Sequence, residues 1–221
     1  MGKHYIPKYY LKGFSTPENE NKIVTYQFIP EKFFTTNLIN IAQETNFYTD
    51  EKEKYLAEVV EEPANEVLRK IKQMKKLTYE DKEIFSSYLL AILKRVPSFI
   101  NFIKSKIPEA VEVTKQKVED RYKQFLQLNQ IDEKDANEVF LAIENFDATK
   151  NFNEEITKEI WLDFIPSEKT PLVLNEIKFK KWVFFINTTD QYLLTSDNPF
   201  YFDKGLGLRN SEISFPITKD I

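Results

Sequence analysis

Apolar and polar residues alternate along this chain with changing periods, and the period decides the element each stretch predicts. The opening His4-Tyr5-Ile6-Pro7-Lys8-Tyr9-Tyr10-Leu11-Lys12-Gly13-Phe14 is apolar and aromatic, punctuated by Pro7 and Gly13. After the polar turn Thr16–Asn21, Ile23 to Phe28 alternate with period two and predict a strand. Phe33 to Asn37 predicts a second extended piece, and Ile41 to Asp50 leads into a helix with Thr49 or Asp50 as N-cap. Helical spacing then takes over. Tyr55, Leu56, Val59 and Val60 share a face, and Val67, Leu68, Ile71 and Met74 continue it beyond Pro63. Because Pro63 lacks a backbone N–H, it must kink that stretch or split it. Thr78 with Asp81 three residues on reads as a capping box using the shorter acid. The helix it opens has an apolar face of Ile84, Phe85, Tyr88, Leu89 and Ile92, and it should stop near Arg95, because Val96 precedes Pro97.

A long helix is expected from Ser98 to about Leu128, bent at Pro108. Asp132 or Asp135 caps another, carrying Val139, Phe140, Ile143 and Phe146, and Asn153–Ile165 forms the last. At Pro166 the texture changes. Phe179–Ile186 and Tyr192–Thr195 read as strands joined by the turn Asn187–Asp190, and Ile213–Ile217 as a third strand after a loop with Gly205 and Gly207. The predicted fold class is α+β: N-terminal extended segments, a bundle of about five helices, and a small C-terminal antiparallel sheet. One domain is expected over 1–221, with a helical region of about 50–165 and β-rich regions over 1–48 and 171–221. The ending Phe-Pro-Ile-Thr-Lys-Asp-Ile has no polar tail, which suggests a fragment of a longer chain.

Composition narrows the chemistry more than the fold. With 42% hydrophobic and 30% charged residues among 221, the chain is ordinary globular material. Cysteine is absent, which removes disulfides, zinc–thiolate sites, iron–sulfur clusters and cysteine nucleophiles. There is a single histidine, His4, so no His-x-x-x-His metal pair exists, and a hydrolase triad could draw only on His4. A net charge of −4 provides no overall positive field for nucleic acid. No stretch approaches the ~20 apolar residues of a membrane span or resembles a secretion signal, so no membrane partner is expected and cytoplasmic residence is. Abundant Lys, Asn, Ile and Phe with only 4 Gly look like coding bias, which discounts the 14% aromatic content as a stacking surface.

Candidate chemistry lies at a few positions, each with a plainer alternative. His4 titrates near neutrality and can serve as general base, metal ligand or anion partner; alternatively it hydrogen-bonds a carbonyl beneath the helices. Asp197 follows an apolar strand, where catalytic carboxylates are presented, but Asp before Asn198-Pro199 also forms an Asx-turn. Asn198-Pro199-Phe200 after a strand resembles an adenine-methyltransferase motif, a reading that fails without a Gly-x-Gly loop. Arg95 at a helix end can hold a carboxylate or phosphate, or simply neutralise the helix dipole or pair with Glu61 or Glu62. A divalent-cation site would require Glu61 or Glu62 to face both His4 and Asp197. The run Arg69-Lys70-Ile71-Lys72-Gln73-Met74-Lys75-Lys76 could touch nucleic-acid phosphates, or be a solvated helix C-terminus.

The segments taken together resemble the bacterial family known as domain of unknown function 4238. The opening matches its His-Tyr-x-Pro-x-x-Tyr-Leu-x-x-Phe pattern. Glu44-Thr45-Asn46-Phe47-Tyr48-Thr49, followed by Glu58, Glu61 and Glu62, resembles its second segment. Leu93-Lys94-Arg95-Val96-Pro97 resembles Leu-x-Arg-x-Pro, and Leu194-Thr195-Ser196-Asp197-Asn198-Pro199 with Phe215-Pro216-Ile217 its Thr-Ser-Asp-Asn-Pro and Phe-Pro pair. The resemblance implies no activity. It groups His4, Arg95 and Asp197 as candidate catalytic residues, with Tyr5, Tyr10, Glu61, Glu62, Ser196 and Asn198 as candidate binding residues. The expectation is a hydrolase or nuclease-like enzyme with these three in one polar pocket; the alternative is a non-enzymatic protein- or nucleic-acid-binding module, in defence or mobile-element biology. The opening segment is expected to dock against the C-terminal sheet.

Overall fold

Every residue from Tyr88 to Val96 is buried, and a helix buried on all sides must sit in the middle of a fold. The computed structural model describes residues 2–45, 47–131, 137–146, 171–205, 208 and 210–221. In chain order it shows β1 (Gly2–His4), α1 (Lys8–Leu11), β2 (Lys22–Gln27), β3 (Lys32–Asn37), β4 (Gln43–Thr45), α2 (Asp50–Tyr55), a π-helical turn (Leu56–Glu61) and α3 (Glu62–Lys72). There follow α4 (Tyr79–Arg95), α5 (Pro97–Leu128), α6 (Asn137–Glu144), α7 (Pro171–Phe179), β5 (Tyr201–Phe202) and β6 (Ile213–Ser214). The class is α+β. The expected helix Asn153–Ile165 and the caps Asp132 and Asp135 lie outside the described residues.

The chain divides into two compact units, Met1–Phe99 with Leu162–Ile221, and Ile100–Trp161. In the second, Tyr122 meets Phe140 edge-on at 5.3 Å, and Lys115 Nζ donates to the Glu144 carbonyl at 3.4 Å. Pro108 stands inside α5.

In the first unit α4 is the central element. Thr78 and Asp81 make the capping box in both directions, at 3.1 and 2.9 Å, and Asp81 also binds Lys70 Nζ at 2.7 Å. The helix stops at Arg95 because Val96 turns extended (ψ 136°) ahead of Pro97. Against it pack Ala64, Val67, Leu68 and Ile71, the buried stripe of α3, and beyond it α7, with Ile177 buried. Each fully buried Leu or Ile contributes roughly 1.5–3 kcal/mol of transfer free energy. The α2–α3 stretch takes up Pro63 without breaking. A turn earlier it widens to a π-helix, in which the Glu62 N–H reaches back to the Ala57 carbonyl.

The strands form separate antiparallel pairs: β1 with β4, β2 with β3, and β5 with β6. His4 stands opposite Gln43 in the first, and Val24 opposite Thr35 in the second. Several expectations are corrected here. The opening strand pairs with Gln43–Thr45 rather than with the C-terminal sheet. Its meeting with the C-terminal region is made further on, by Tyr10 and Gly13. Tyr10 Oη donates to the Pro216 carbonyl at 2.9 Å and bonds Thr195 Oγ1 at 2.7 Å. The Gly13 carbonyl accepts from Lys219 N at 3.0 Å, and a Cβ on Gly13 would stand 3.0 Å from the Ile217 carbonyl oxygen.

Residues 171–179, expected in a β-rich region, are helix α7 instead, with Pro171 at its first position, where a missing N–H costs nothing. The expected hairpin of 179–186 with 192–195 does not form: Phe179 ends α7, and the stretch 180–195 carries no ladder. Its backbone turns to the chain end: Asn187 N donates to the Asp220 carbonyl and Leu193 N to the Lys219 carbonyl, both at 2.8 Å. The turn chemistry itself is present, since Asn187 Oδ1 accepts from Thr189 N at 3.1 Å. Of the third expected strand only Ile213–Ser214 pairs.

Candidate active site

The π-turn carries Glu61 to the end of α4. There Arg95, 1% exposed, donates from Nη1 to Glu61 Oε1 at 2.8 Å and from Nε to the Ala91 carbonyl at 3.2 Å. Burying a guanidinium costs several kcal/mol, on the order of what a well-made ion pair returns, so this pair stays closed only because both partners are present. Burial pulls the Arg95 pKa down, and Glu61 and Tyr48 outweigh it, so the guanidinium stays protonated. Glu62, one residue on, is exposed.

β1 brings His4 to the same place. The Tyr48 hydroxyl donates to the His4 main-chain carbonyl at 2.7 Å and lies against the Arg95 guanidinium and Glu53. The His4 ring is half-buried, with Nε2 3.4 Å from the Leu38 carbonyl; a carbonyl only accepts, so this contact puts the proton on Nε2 and leaves Nδ1 as the acceptor. Burial lowers the His4 pKa, the Leu38 carbonyl opposes it, Lys8 adds to the lowering, and Glu53 and Glu61 oppose it; burial prevails. The imidazole is therefore neutral at pH 7.

Tyr88, fully buried on α4, has its pKa pushed well above the phenol range by burial, with Glu61 adding to the rise. Three buried polar atoms of this cluster have no hydrogen-bond partner: Arg95 Nη2, Tyr88 Oη and Glu53 Oε2. Each such atom costs about 1–3 kcal/mol.

Asp197 is elsewhere. It is exposed, and the charge it exerts falls on Tyr5, whose pKa rises first through burial and then through Asp197. The turn beside it is held by Ser196, whose Oγ donates to the Asn198 carbonyl at 2.8 Å and accepts from Asn198 N at 3.1 Å. Asp197 itself caps nothing. Tyr5 and Asp197 lie on a groove of about 2140 Å³, further lined by Tyr26, Phe33, Trp182 and Phe200. Tyr10 is no ligand group but the buried pin described above. The structure thus joins Glu61 and Arg95, ties His4 to them by its main-chain carbonyl through Tyr48, and sets Asp197 apart with Tyr5, Ser196 and Asn198.

The condition for a divalent-cation site is not met, because Glu61 is turned to Arg95. Among the described residues no group of three His, Asp or Glu side chains is arranged to hold a metal ion. The basic run is largely engaged: Arg69 pairs with Glu66 at 2.5 Å, Lys70 with Asp81, and Lys72 lies 5.2 Å from the Tyr9 ring centre. Among the described residues no helix is long and apolar enough to cross a membrane.

Tyr48, Glu53 and Tyr88 escape a reading of the sequence. Tyr88 occupies a helical apolar stripe, Tyr48 stands in the Glu-Thr-Asn-Phe-Tyr segment without a role, and Glu53 carries no signal at all. The class these features define is a helix-centred α+β protein with a buried arginine paired to a part-buried glutamate. The chain belongs to the family described as Protein of unknown function (DUF4238), whose model matches residues 3–221. No curated protein and no solved structure matches it.

Proposed function

We propose that this protein is a hydrolase-type enzyme, bacterial and cytoplasmic, working at the His4–Glu61–Arg95 cluster. The observation that carries the reading is a buried guanidinium, held by Glu61 with one nitrogen to spare, next to Tyr48, whose hydroxyl donates to the main-chain carbonyl of His4. His4 acts as general base toward a water molecule, its lowered pKa keeping the base form filled at neutral pH. Arg95 offers Nη2 to the oxygen on which negative charge develops. Glu61 is a positioning residue that holds the guanidinium. Asp197 stands with Tyr5 on the neighbouring groove and has no part in proton transfer.

A panel of p-nitrophenyl esters, p-nitrophenyl phosphates and p-nitroanilides tests this. Turnover should fall at least a hundredfold in His4→Gln. The rate should rise with pH through a midpoint below 6.5, the midpoint at which the single imidazole titrates by NMR. A midpoint that does not match the imidazole, or a rate indifferent to His4→Gln, would sink the proposal.

A second reading, a non-enzymatic binding module in defence or mobile-element biology, draws on a different observation. Phe28, Phe33, Phe185 and Leu194 are 79%, 75%, 79% and 85% exposed. An apolar surface of that kind is more typical of a partner-binding face than of a solvated one.

A further inference from the structure

We propose that the stretch 181–186 is an open strand edge that takes an extended segment of a partner protein, apolar at alternate positions and acidic where it meets Lys181. The proposal is independent of catalysis at His4. Its first support is in the backbone. Among the described residues, no amide or carbonyl of 181–186 takes part in a backbone hydrogen bond; the flanking Lys180 N and Asn187 N donate to the Ile177 and Asp220 carbonyls. Consecutive residues with bare donors and acceptors are a template for pairing with another chain. The side chains keep the period of a strand. Lys181, Val183 and Phe185 are exposed, while Trp182 and Phe184 between them are half-buried, their rings edge-on at 6.4 Å. Trp182 anchors the inner side, with its ring 5.8 Å from Phe85 and its Nε1 donating to the Ile177 carbonyl at 3.1 Å.

The space beside this edge suits a chain segment. Trp182, Val183 and Phe185 line the groove of about 2140 Å³ together with Val24, Tyr26 and Phe33 of the β2–β3 pair. Sites for small molecules occupy roughly 300–1,000 Å³, so this groove is too large for one. Strand addition uses both features, the main chain giving affinity and the apolar wall reading alternate side chains. Charge selects the occupant. The stretch carries Lys180 and Lys181 and no acid, and Lys82 Nζ lies 5.3 Å from the Trp182 ring centre. Lys180 Nζ donates to the Leu208 carbonyl at 2.9 Å, while Lys181 makes no ion pair among the described residues. The same stretch of a second copy would bring lysines together with no acid between them. A single-stranded nucleic acid would meet Asp197 and Glu212, which also line the groove, in a chain of net charge −4, and would leave the bare amides unused. An acidic, apolar peptide strand satisfies the charge and the backbone together.

The probe is fluorescein-labelled Glu-Val-Thr-Val-Thr-Val-Glu, acidic at both ends so that either strand direction serves, titrated into the intact protein by anisotropy. Binding should saturate, and amide hydrogen exchange should slow in 181–186. A strand turns its amides alternately to its two sides, so N-methylating the set that faces the edge should weaken binding about tenfold or more. Replacing both glutamates by lysine should weaken it about threefold. Lys181→Glu, at an exposed position where the fold should hold, should reverse the order of the acidic and basic peptides. Absence of saturable binding, indifference to methylation of either set of amides, or protection that falls outside 181–186 would overturn the proposal. Binding of an oligothymidylate in place of the peptide would assign the groove to nucleic acid. Self-association that protects 181–186 without peptide would assign the edge to a second copy. Either result would overturn the proposal as well.

Discussion

α4 and the extended stretch 180–195 are both rich in large apolar side chains, and they end in opposite environments. In α4 nearly all of them are buried, down to Ile92 at 0%. In the extended stretch, Val183, Phe185, Ile186, Tyr192 and Leu194 are 55%, 79%, 53%, 57% and 85% exposed. A helix satisfies its own backbone, so burying it costs only side-chain matching; an extended segment must find ladder partners before its side chains can pack. Here the stretch gives its backbone donors at Asn187 and Leu193 to residues 219–220, and apart from Trp182 and Phe184 its large apolar side chains stay open. Hydrophobicity alone therefore says nothing of depth. What decides it is whether the backbone is satisfied locally.

The sharpest way to break the comparison is to remove charge from the buried end of α4. Arg95→Ala leaves Glu61 facing an apolar interior and should lower unfolding stability by about 3–5 kcal/mol, measured by urea denaturation. Leu194→Ser, on the open stretch, should stay within about 0.5 kcal/mol. Equal effects would show that the two regions are coupled more tightly than their burial implies. Next in size comes the pin that ties α1 to the end of that stretch. Tyr10→Phe strands the Pro216 carbonyl and the Thr195 hydroxyl, and should cost about 1–3 kcal/mol. Amide hydrogen exchange should rise in 192–218 and not in α4.

A pH dependence sharpens the comparison from the side of α4. Burial pulls Lys94 down to about 8, so between pH 8 and about 10 the unfolded chain binds more protons than the folded one, and stability should rise with pH across that window. Above about pH 10 the sign reverses. Burial raises the phenols of Tyr10, Tyr48 and Tyr88, so the folded chain holds protons that the unfolded one has lost. Lys94→Met should flatten the rise and leave the fall at higher pH.

Local signals are readable where the chemistry is local. The Thr78–Asp81 box, the Thr49 cap (accepting from Lys52 N at 3.2 Å), the stop at Val96-Pro97 and the β2–β3 alternation all involve residues within a few positions of one another. The pairing of β1 with β4 spans about forty residues, and no periodicity encodes a partner at that distance. Helix α7 escapes the pattern because Phe-Ile-Pro and Lys-Thr-Pro punctuation hides a short helical run. Within the site, His4, Glu61 and Arg95 are candidates from residue type and position; Glu61 and Arg95 pair, and His4 reaches them through Tyr48 and its own main chain. Asp197 is an equally good candidate and does not join them, since whether two loops converge depends on strands and pins far from either.

The sequence by itself determined the helices of the core, their caps, the α+β class and the poverty of catalytic options: a single histidine and no cysteine leave little else. Only the tertiary structure decided that the Tyr88 hydroxyl is buried without a partner within the electrostatic reach of Arg95 and Glu61, and that Tyr48 gathers His4, Glu53 and Arg95. The reason is one of range. Backbone hydrogen bonds and caps act over one turn of chain, whereas burial and charge act through space, between residues the chain order keeps apart.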